Sequence, residues 1–591
     1  MISPVRNLAD WCKAIRHWEL RKEALFVFAL WAVIVIIRML GPYNLIDQDQ
    51  ERPAAYMMDV LCHNEWIVQR DVTGDVSSKP PLYTWLGAIV SLPFGTVNRF
   101  TLYFPCMLSV LLCALLILWR GGLYFGRKAG FWGAIAFTAS LTSAKMVCLA
   151  RTDPLFMLTV FAMGLTGFEC WSRKRDWANF WLLGAFATLT KGPLGIILGA
   201  MGLLAILWER LDKRAPVGGG LRLSEHLIGL ISFIVLSAGW FWLAVRELGQ
   251  PVIDKMIGAE LERHIVIGDA GEKPLENFFN PLAYFITRFI PWSLFSIVET
   301  VAICKAPSRH DNARRFERFC IMALFGAIFM FGFAGHKRPD HLFPLLPFGA
   351  LLAGRALAWL TDRKSLVLRY APCVITVVVV AYTAVYYTVI ERGEPKLKTM
   401  EQLYDLAMTA KDNNAAPLVY MSDPYYGAPP YTMQYFLGDM TYEVTSSSIV
   451  RMLNSKTPVL AAIRSPKIQL PLLRDAMTTP SRLHVLAQTK PGDADDDDVC
   501  HVAIISNQPQ WAPDGRIAFT LWDLDIVTSN AKVRSNSRRQ AIAFEKIDPK
   551  KSARVGIANH NSLPKQLRIT VDKRKENVEL NPNESWSMMI R

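Results

Sequence analysis

Short motifs that place a basic residue beside proline, glycine or an acid recur in the first 350 residues of the chain. They are Lys79-Pro80-Pro81-Leu82, Arg151-Thr152-Asp153-Pro154, Thr190-Lys191-Gly192-Pro193 and His336-Lys337-Arg338-Pro339-Asp340-His341. Arginine binds a phosphate through two parallel hydrogen bonds, and lysine binds it as a point charge. Several such cations brought together would hold an anion, and a phosphate carried by a membrane lipid fits that chemistry.

An acid-rich segment, residues 42–81, contains the first of these lysines, Lys79, and ends in the two prolines that follow it. It contains the acids Asp47, Asp49, Glu51, Asp59, Glu65, Asp71 and Asp75, with Arg52 among them. Tyr56, Met57, Val60 and Leu61 recur at helical spacing, which predicts an amphipathic helix on a membrane surface. No metal is required by these residues, although Asp47 and Asp49 offer oxygen ligands to a divalent cation.

Composition narrows the class of protein that must position these residues. The chain has 591 residues, of which 52% are hydrophobic and only 20% charged, yet its net charge is +14. So much apolar surface excludes intrinsic disorder. Ten cysteines without a CxxC pair exclude a disulfide scaffold and a zinc-finger pattern. A membrane protein with basic loops and a nucleic-acid-binding protein with a large core remain.

The distribution of apolar residues favours the membrane protein. Apolar runs long enough to cross a hydrocarbon layer predict about eleven helical spans, near residues 24–41, 102–119, 131–149, 154–171, 179–190, 193–208, 226–245, 284–304, 318–334, 341–360 and 371–390. Basic clusters fall in alternate loops, which places the N-terminus in the cytoplasm by the positive-inside rule. The basic excess is therefore mainly an orientation signal, and it is not arranged on one face for nucleic acid.

The chain changes character after residue 390. Residues 391–591 are polar, with short alternating stretches such as 418–421 and 567–571 that are typical of strands. We therefore predict two domains: a transmembrane domain over 1–390, whose first outer loop is 42–81, and a mixed α/β or β-rich region over 391–591. An odd number of spans places that region on the extracytoplasmic side of the inner (plasma) membrane.

The four basic motifs all fall on this predicted extracytoplasmic side, where orientation does not call for cations. Each cation taken alone is also compatible with a side chain that reaches the lipid headgroups. Asp153 is equally compatible with a helix N-cap. The case for function depends on the set of motifs, because charges at a membrane boundary are costly and usually paired or functional.

Taken in order, these motifs resemble the GT-C superfamily of membrane glycosyltransferases, which use polyprenyl-phosphate sugars. The nearest branches are the protein O-mannosyltransferase-like proteins and the lipid A aminoarabinose transferases. The resemblance covers about residues 20–390 and includes Asp49-Gln50-Glu51-Arg52, Lys79-Pro80-Pro81-Leu82-Tyr83, Ala150-Arg151-Thr152-Asp153, Thr190-Lys191-Gly192 and Pro291-Trp292-Ser293-Leu294-Phe295. The sequence departs from the aminoarabinose branch at Gln50, where that branch has an acid, and at Ser78, where it often has Glu.

The resemblance implies an α-helical GT-C fold, a mechanism and a set of site residues. Lys79, Arg151, Lys191, Lys337 and Arg338 would hold the donor phosphate, with Asp49 and Asp153 as catalytic residues and Glu51 and Arg52 in the substrate loop. Asp49 would act as general base toward an acceptor hydroxyl, and attack from the opposite face would invert the anomeric carbon. The partners implied are a polyprenyl-phosphate sugar and a lipid, glycan or protein acceptor, with no cofactor and no nucleic acid.

Two classes of alternative remain open on sequence grounds. A secondary transporter or lipid flippase for an anionic lipid-linked substrate would also place charges near a membrane cavity, although such proteins tend to show internal repeats and paired broken helices. A scaffold or receptor would carry its function in residues 391–591. Deletion of 391–591 separates these alternatives, because an enzyme would retain polyprenyl-phosphate binding in the membrane part.

Overall fold

The computed structural model describes most of the chain. The described ranges are 18–45, 48–71, 74–173, 176–212, 223–258, 277–334, 337–413, 418–422, 430–438, 440, 443–455, 459–490, 501–511, 517–521, 524–529, 531–536, 541–546, 553–559, 563–571, 574–582 and 584–590.

The chain divides into two compact units. The first, the membrane unit, comprises Met1–Gly41, Ser77–Leu86 and Tyr103–Ile390, and the second, the tail unit, comprises Pro42–Val76, Gly87–Leu102 and Glu391–Arg591. The boundary at residue 390 coincides with the change in composition. The acid-rich segment 42–76, which sequence reasoning grouped with the membrane spans, belongs to the tail unit.

Within the described ranges, helices make up most of the chain up to residue 393. They are α1 Trp18–Leu40, α2 Gln48–His63, α3 Leu82–Ser91, α4 Arg99–Tyr124, α5 Arg127–Thr138, α6 Leu141–Met146, α7 Asp153–Arg173, α8 Trp177–Lys191, α9 Leu194–Ala200, α10 Ala205–Leu211, α11 Leu223–Phe233, α12 Gly239–Leu248, α13 Gln250–Ile253, α14 Asn280–Arg288, α15 Trp292–Lys305, α16 Asp311–Ile321, α17 Ala327–Gly332, α18 Leu346–Thr361 and α19 Leu366–Val385. Short 3₁₀ or π turns, including Pro339–Leu345 before α18, join several of them.

Within the described ranges, seven helices are long and apolar enough to cross a membrane, and a bent pair, Asn280–Arg288 with Trp292–Lys305, raises the number to eight. The count of eleven predicted from sequence is therefore not confirmed. Three predicted spans are short or interrupted helices: 131–149 is split between α5 and α6, 179–190 lies in the 15-residue α8, and 318–334 is divided by a π turn. The break at 139–140 arises because the Ser140 hydroxyl caps α6 by accepting from Ser143 N–H at 3.1 Å.

The predicted mixed character of residues 391–591 is confirmed. Helices α20 Pro395–Asp412, α21 Tyr431–Leu437, α22 Ser446–Leu453 and α23 Pro466–Ala476 accompany a five-stranded sheet of β1 Val419–Ser422, β2 Glu443–Thr445, β3 Leu460–Arg464, β4 His484–Gln488 and β5 Val502–Ser506. Its order is β2-β1-β3-β5-β4, and β2, β1 and β3 run parallel. This five-stranded sheet and its helices are called the α/β module below.

Eight further strands form two four-stranded sheets, ordered β13-β10-β7-β6 and β12-β11-β9-β8. They are β6 Ile517–Leu521, β7 Leu524–Ser529, β8 Ala531–Asn536, β9 Ala541–Lys546, β10 Ala553–Asn559, β11 Lys565–Val571, β12 Arg574–Leu580 and β13 Ser585–Ile590. Most pairs are antiparallel, and β9 and β11 run parallel. The stretches predicted as strands at 418–421 and 567–571 correspond to β1 and β11.

Small residues allow the membrane-unit helices to approach closely. A Cβ atom added at Gly354 of α18 would lie 2.3 Å from the carbonyl oxygen of Ala129 and 2.5 Å from the amide nitrogen of Gly133, both on α5. Backbone atoms cannot move aside as a flexible side chain can. Glycine thus sets the distance between α5 and α18, as small residues commonly do between membrane helices.

We expect Gly354→Ala to destabilise the protein by about 1–3 kcal/mol, because the added methyl group overpacks a backbone-to-backbone contact. The loss of folded protein can be followed by thermal unfolding in detergent. Gly122→Ala on α4 is the matched control, since its nearest neighbour would be Arg127 Cα at an ordinary 3.8 Å. Equal unfolding midpoints for the two variants would contradict this account of the helix contact.

Candidate active site

Residues predicted from two separate motifs meet at one buried carboxylate in the membrane unit, that of Asp153. Asp153 is only 2% exposed. Arg151 Nε lies 3.0 Å from Asp153 Oδ2, and the Lys191 ammonium group is hydrogen-bonded to Asp153 Oδ1. The two cations thus take one oxygen each of the same carboxylate.

A second carboxylate joins this group from a distant part of the chain. Arg151 NH1 donates to Asp340 Oδ2 at 2.5 Å, across 189 residues of sequence. Asp340 belongs to the motif that contains Lys337 and Arg338. The site cluster is defined here as Arg151, Asp153, Lys191 and Asp340, and its two cations retain partial exposure, with 17% of each side chain accessible.

Helix ends position the cluster. Asp153 is the first residue of α7, whose N-terminus favours an anion, and Lys191 is the last residue of α8, whose C-terminus favours a cation. Gly192 follows with φ +90°, a conformation that an L side chain rarely adopts, and its N–H donates to the Thr188 carbonyl at 2.8 Å. The Thr-Lys-Gly motif is therefore a helix terminus that presents a lysine.

The motif of Lys79 is tied to the same region through Tyr83. The Cys106 thiol donates to the Leu149 carbonyl oxygen at 2.8 Å, and its sulfur lies 3.5 Å from the Arg151 carbonyl and 3.6 Å from Tyr83 Oη. Cys106 thereby links the start of α3 to the loop that carries Arg151.

The lysine itself precedes Tyr83 in a defined turn. The Ser77 hydroxyl donates to the Lys79 carbonyl at 2.8 Å, and the Lys79 N–H reaches that hydroxyl at 3.3 Å. The Lys79 side chain is half-buried.

Lys337 and Arg338 immediately precede the 3₁₀ turn Pro339–Leu345, with Lys337 half-buried and Arg338 exposed. The His341 N–H donates to the Arg338 carbonyl at 3.2 Å, which closes the first turn. Because Asp340 contacts Arg151, the structure brings this segment to the site cluster. Three of the predicted motifs therefore contribute residues to the site cluster. The fourth, that of Lys79, is linked through Tyr83 and Cys106 to the loop that carries Arg151.

The predicted acidic residues lie in the tail unit. Asp49 belongs to α2, but its side chain and the whole of Asp47 lie outside the described residues. Glu51, also on α2, is buried, and its Oε1 accepts from the Thr432 hydroxyl at 2.7 Å. Arg52 Nε is 3.6 Å from Asp71 Oδ2. Glu51 and Arg52 are thus held within the tail unit, and the catalytic role of Asp49 stays a prediction.

Burial also affects a tyrosine of the same helix. Desolvation raises the pKa of Tyr56 above its usual range, and the nearby charge of Asp71 raises that pKa further. Asp71 in turn accepts from the Asp75 N–H at 3.0 Å, which fixes the turn after α2. Among the described residues no three His, Cys, Asp or Glu side chains form a metal-sized cluster. The divalent alternative for Asp47 and Asp49 stays a prediction, because those side chains are not described.

Sequence reasoning did not single out two charged residues of the membrane unit, Asp340 in the site cluster and Arg38 in α1. Asp340 was recognised only as part of its motif, without a role. Arg38, in α1, is 3% exposed, its NH2 lies 3.4 Å from the Cys148 carbonyl, and its guanidinium lies 3.8 Å from the centre of the Tyr387 ring. A charge inside an otherwise apolar span is the signal that could have identified Arg38.

The arrangement favours electrostatic work on an anion. Two carboxylates fix the orientation of Arg151 before any ligand arrives, and Asp153 does the same for Lys191. Preoriented cations stabilise a developing negative charge without reorganising during the reaction. The same ion pairs leave Asp153 poorly placed to accept a proton, because both of its oxygens already face cations.

Two family models match ranges that lie mainly in the membrane unit. Residues 78–242 match the family model described as dolichyl-phosphate-mannose-protein mannosyltransferase, and residues 272–434 match that of the Alg9-like mannosyltransferase family. The first range contains Lys79, Arg151, Asp153 and Lys191. The second contains Lys337, Arg338 and Asp340.

A curated relative, an uncharacterized protein of Aquifex aeolicus, is 25% identical over 228 residues, which are 39% of this chain. The chain spans about half the length of that relative. Among solved structures, ArnT from Cupriavidus metallidurans bound to undecaprenyl phosphate has a TM-score of 0.60 at 16% identity, and its apo state gives 0.60 at 17%. In both cases 82% of this chain and 97% of the other are covered.

The resemblance indicated by the motifs is confirmed at the level of fold and family models. At such low identity the ArnT match establishes the fold alone, and the two mannosyltransferase models cover the motifs that form the site cluster. By these findings the chain is a multi-span membrane protein with the fold of the GT-C glycosyltransferases.

Proposed function

We propose that this protein transfers a sugar from a polyprenyl-phosphate donor to an acceptor on the extracytoplasmic face of the membrane. The observation that carries the proposal is the site cluster, in which Asp153 and Asp340 orient Arg151 and Lys191 where helix α7 begins and helix α8 ends. The predicted orientation of the chain directs these helix ends outward. The binding of undecaprenyl phosphate by ArnT, which shares the fold, supports the choice of donor.

Arg151 and Lys191 act on the donor phosphate. Cleavage of the bond between the anomeric carbon and the phosphate oxygen leaves both bonding electrons on the phosphate, whose negative charge therefore grows. Fixed cations stabilise that charge more in the transition state than in the ground state, which lowers the barrier. Lys79, Lys337 and Arg338 supply further positive charge, in the role implied by the family resemblance.

The family resemblance implies that Asp49 acts on the acceptor side. Asp49 removes the proton from an acceptor hydroxyl as its oxygen attacks the anomeric carbon, so that the sugar is transferred with inversion. An acceptor that is already an ionised phosphate needs no base, and Asp49 then orients it. A lipid, a glycan or a protein hydroxyl is compatible with this chemistry.

The test is a transfer assay on membranes that contain the full-length protein. Radiolabelled polyprenyl-phosphate sugars, covering hexoses, pentoses and aminopentoses, are added singly, and the label is followed into the lipid, glycan and protein fractions. We expect one donor to label one fraction only when the protein is present. Absence of label from every fraction with every donor would refute the glycosyltransferase activity. Uptake of intact donor into vesicles without transfer would favour the flippase.

The role of Asp153 can be separated from proton transfer. Because its carboxylate holds Arg151 and Lys191, we propose that it positions these cations, in place of the catalytic role expected from the motif. Asp153→Asn should lower kcat/KM for the donor about tenfold or more while the pH profile of kcat keeps its shape. A displaced pH profile with unchanged KM would instead identify Asp153 as a proton-transfer group.

A further inference from the structure

We propose that the α/β module carries a second binding site, which takes a neutral, hydroxyl-rich ligand of the size of one sugar residue. The site is a cavity of about 450 Å³ in the tail unit, lined among the described residues by Met421, Ser446, Ser447, Val450, Gln469, Leu472, Leu473 and Ala476. The proposal does not depend on the transfer reaction assigned to the membrane unit.

The cavity lies where the topology of the sheet favours a ligand. β1 lies between β2 and β3 in the sheet, so the chain passes from β1 to β2 on one side and then crosses over to β3 on the other, which makes the β1–β3 pair a switch point in the strand order. Such a switch point opens a crevice at the carboxyl ends of parallel strands. Met421 is near the end of β1, Ser446 and Ser447 follow β2 directly, and Gln469 lies on the helix that follows β3.

A buried amide in this cavity has no hydrogen-bond partner within the described part of the chain. Gln469 is 2% exposed, and neither its Oε1 nor its Nε2 has a hydrogen-bond partner among the described residues. Leaving a buried donor and acceptor unsatisfied costs about 1–3 kcal/mol for each group. Since Gln469 lines the cavity, a molecule bound there against the amide would supply partners to both groups.

The helix that follows β2 adds polar groups to the same cavity. The Thr445 hydroxyl caps α22 by accepting from the Ser448 N–H at 3.4 Å. The N–H groups of Ser446 and Ser447, in the first turn, have no partner within the helix. Their hydroxyl groups can donate or accept. Together with Gln469 these residues offer both kinds of hydrogen bond from two elements.

The chemistry of the wall selects the class of ligand. None of the described residues that line the cavity carries a charge, which disfavours a phosphate or an ammonium group. The amide and the two serine hydroxyls match hydroxyl groups, which also donate and accept. Met421, Val450 and Leu473 provide an apolar wall for the C–H face of a sugar ring. A volume of about 450 Å³ lies in the range of small-molecule sites.

The experiment uses the full-length protein in nanodiscs and a panel of methyl glycosides of glucose, galactose, mannose and arabinose. Saturation-transfer NMR reports which glycoside contacts the protein. We expect at least one signal that falls fivefold or more in Gln469→Leu, which removes the amide, and in Ala476→Trp, which fills the cavity but keeps the amide. The same glycoside should raise the unfolding midpoint of the wild type.

Two controls separate this site from the membrane unit. Arg474→Ala changes an exposed residue of the same helix that does not line the cavity, and it should keep the signal. Lys191→Ala alters the site cluster and should also keep it. No signal above empty nanodiscs would mean that water alone satisfies Gln469. A signal lost in Lys191→Ala but kept in Gln469→Leu and Ala476→Trp would place the sugar in the membrane unit, and either result would overturn the proposal.

Discussion

Arg151→Ala is expected to lower the rate of sugar transfer by about 10²–10³, the usual effect of removing one preoriented group that stabilises a developing anion. The guanidinium bridges Asp153 and Asp340, so its loss also leaves Asp340 without the partner it has at 2.5 Å. The carboxylates of Asp153 and Asp340 would then repel the donor phosphate, which carries the same sign of charge. The measurement is single-turnover transfer with saturating donor.

Arg127→Ala is the matched control for this change. Arg127 forms an ion pair of similar length, 2.8 Å, with Glu23, but half of its side chain is exposed and it lies outside the site cluster. Surface pairs of this kind contribute about 0–1 kcal/mol to stability. We expect the control to retain the wild-type rate. Wild-type transfer by Arg151→Ala would remove the site cluster from the mechanism.

Asp49→Asn is expected to reduce transfer to a hydroxyl acceptor by about 10²–10⁴, the range that a general base contributes. Asparagine keeps the size of the side chain but cannot take the proton. Membrane insertion and yield should not change, because an uncharged residue at this position adds no burial cost. The purified variant is assayed with the donor identified by the radiolabelled panel.

Asp75→Asn provides the comparison for Asp49, since Asp75 belongs to the same acid-rich segment and is exposed. The Asp75→Asn variant should transfer sugar at the wild-type rate. A fully active Asp49→Asn would refute the assignment of the base. If the acceptor proves to be an ionised phosphate, the loss should appear mainly in KM for the acceptor and not in kcat, because orientation replaces proton transfer.

Much of the fold class could be predicted from the sequence because hydrophobic length is a local property. A span needs about 20 apolar residues whatever its neighbours are, so the long runs at 24–41, 102–119 and 371–390 correspond to helices α1, α4 and α19. The number of membrane spans was less predictable. Where helices pack mainly against protein, as α5 does against Gly354 of α18, they can be short and interrupted.

The sequence by itself determined which residues could act: the basic motifs, their order, and the glycine and prolines within them. Only the tertiary structure decided which of them meet. Arg151 and Asp340 are 189 residues apart yet form one ion pair, and segment 42–76 belongs with the C-terminal residues in one unit. No local pattern encodes such pairings, because they depend on how helices pack. The site cluster is a product of that packing, and so is the burial of the Gln469 amide, which has no partner among the described residues.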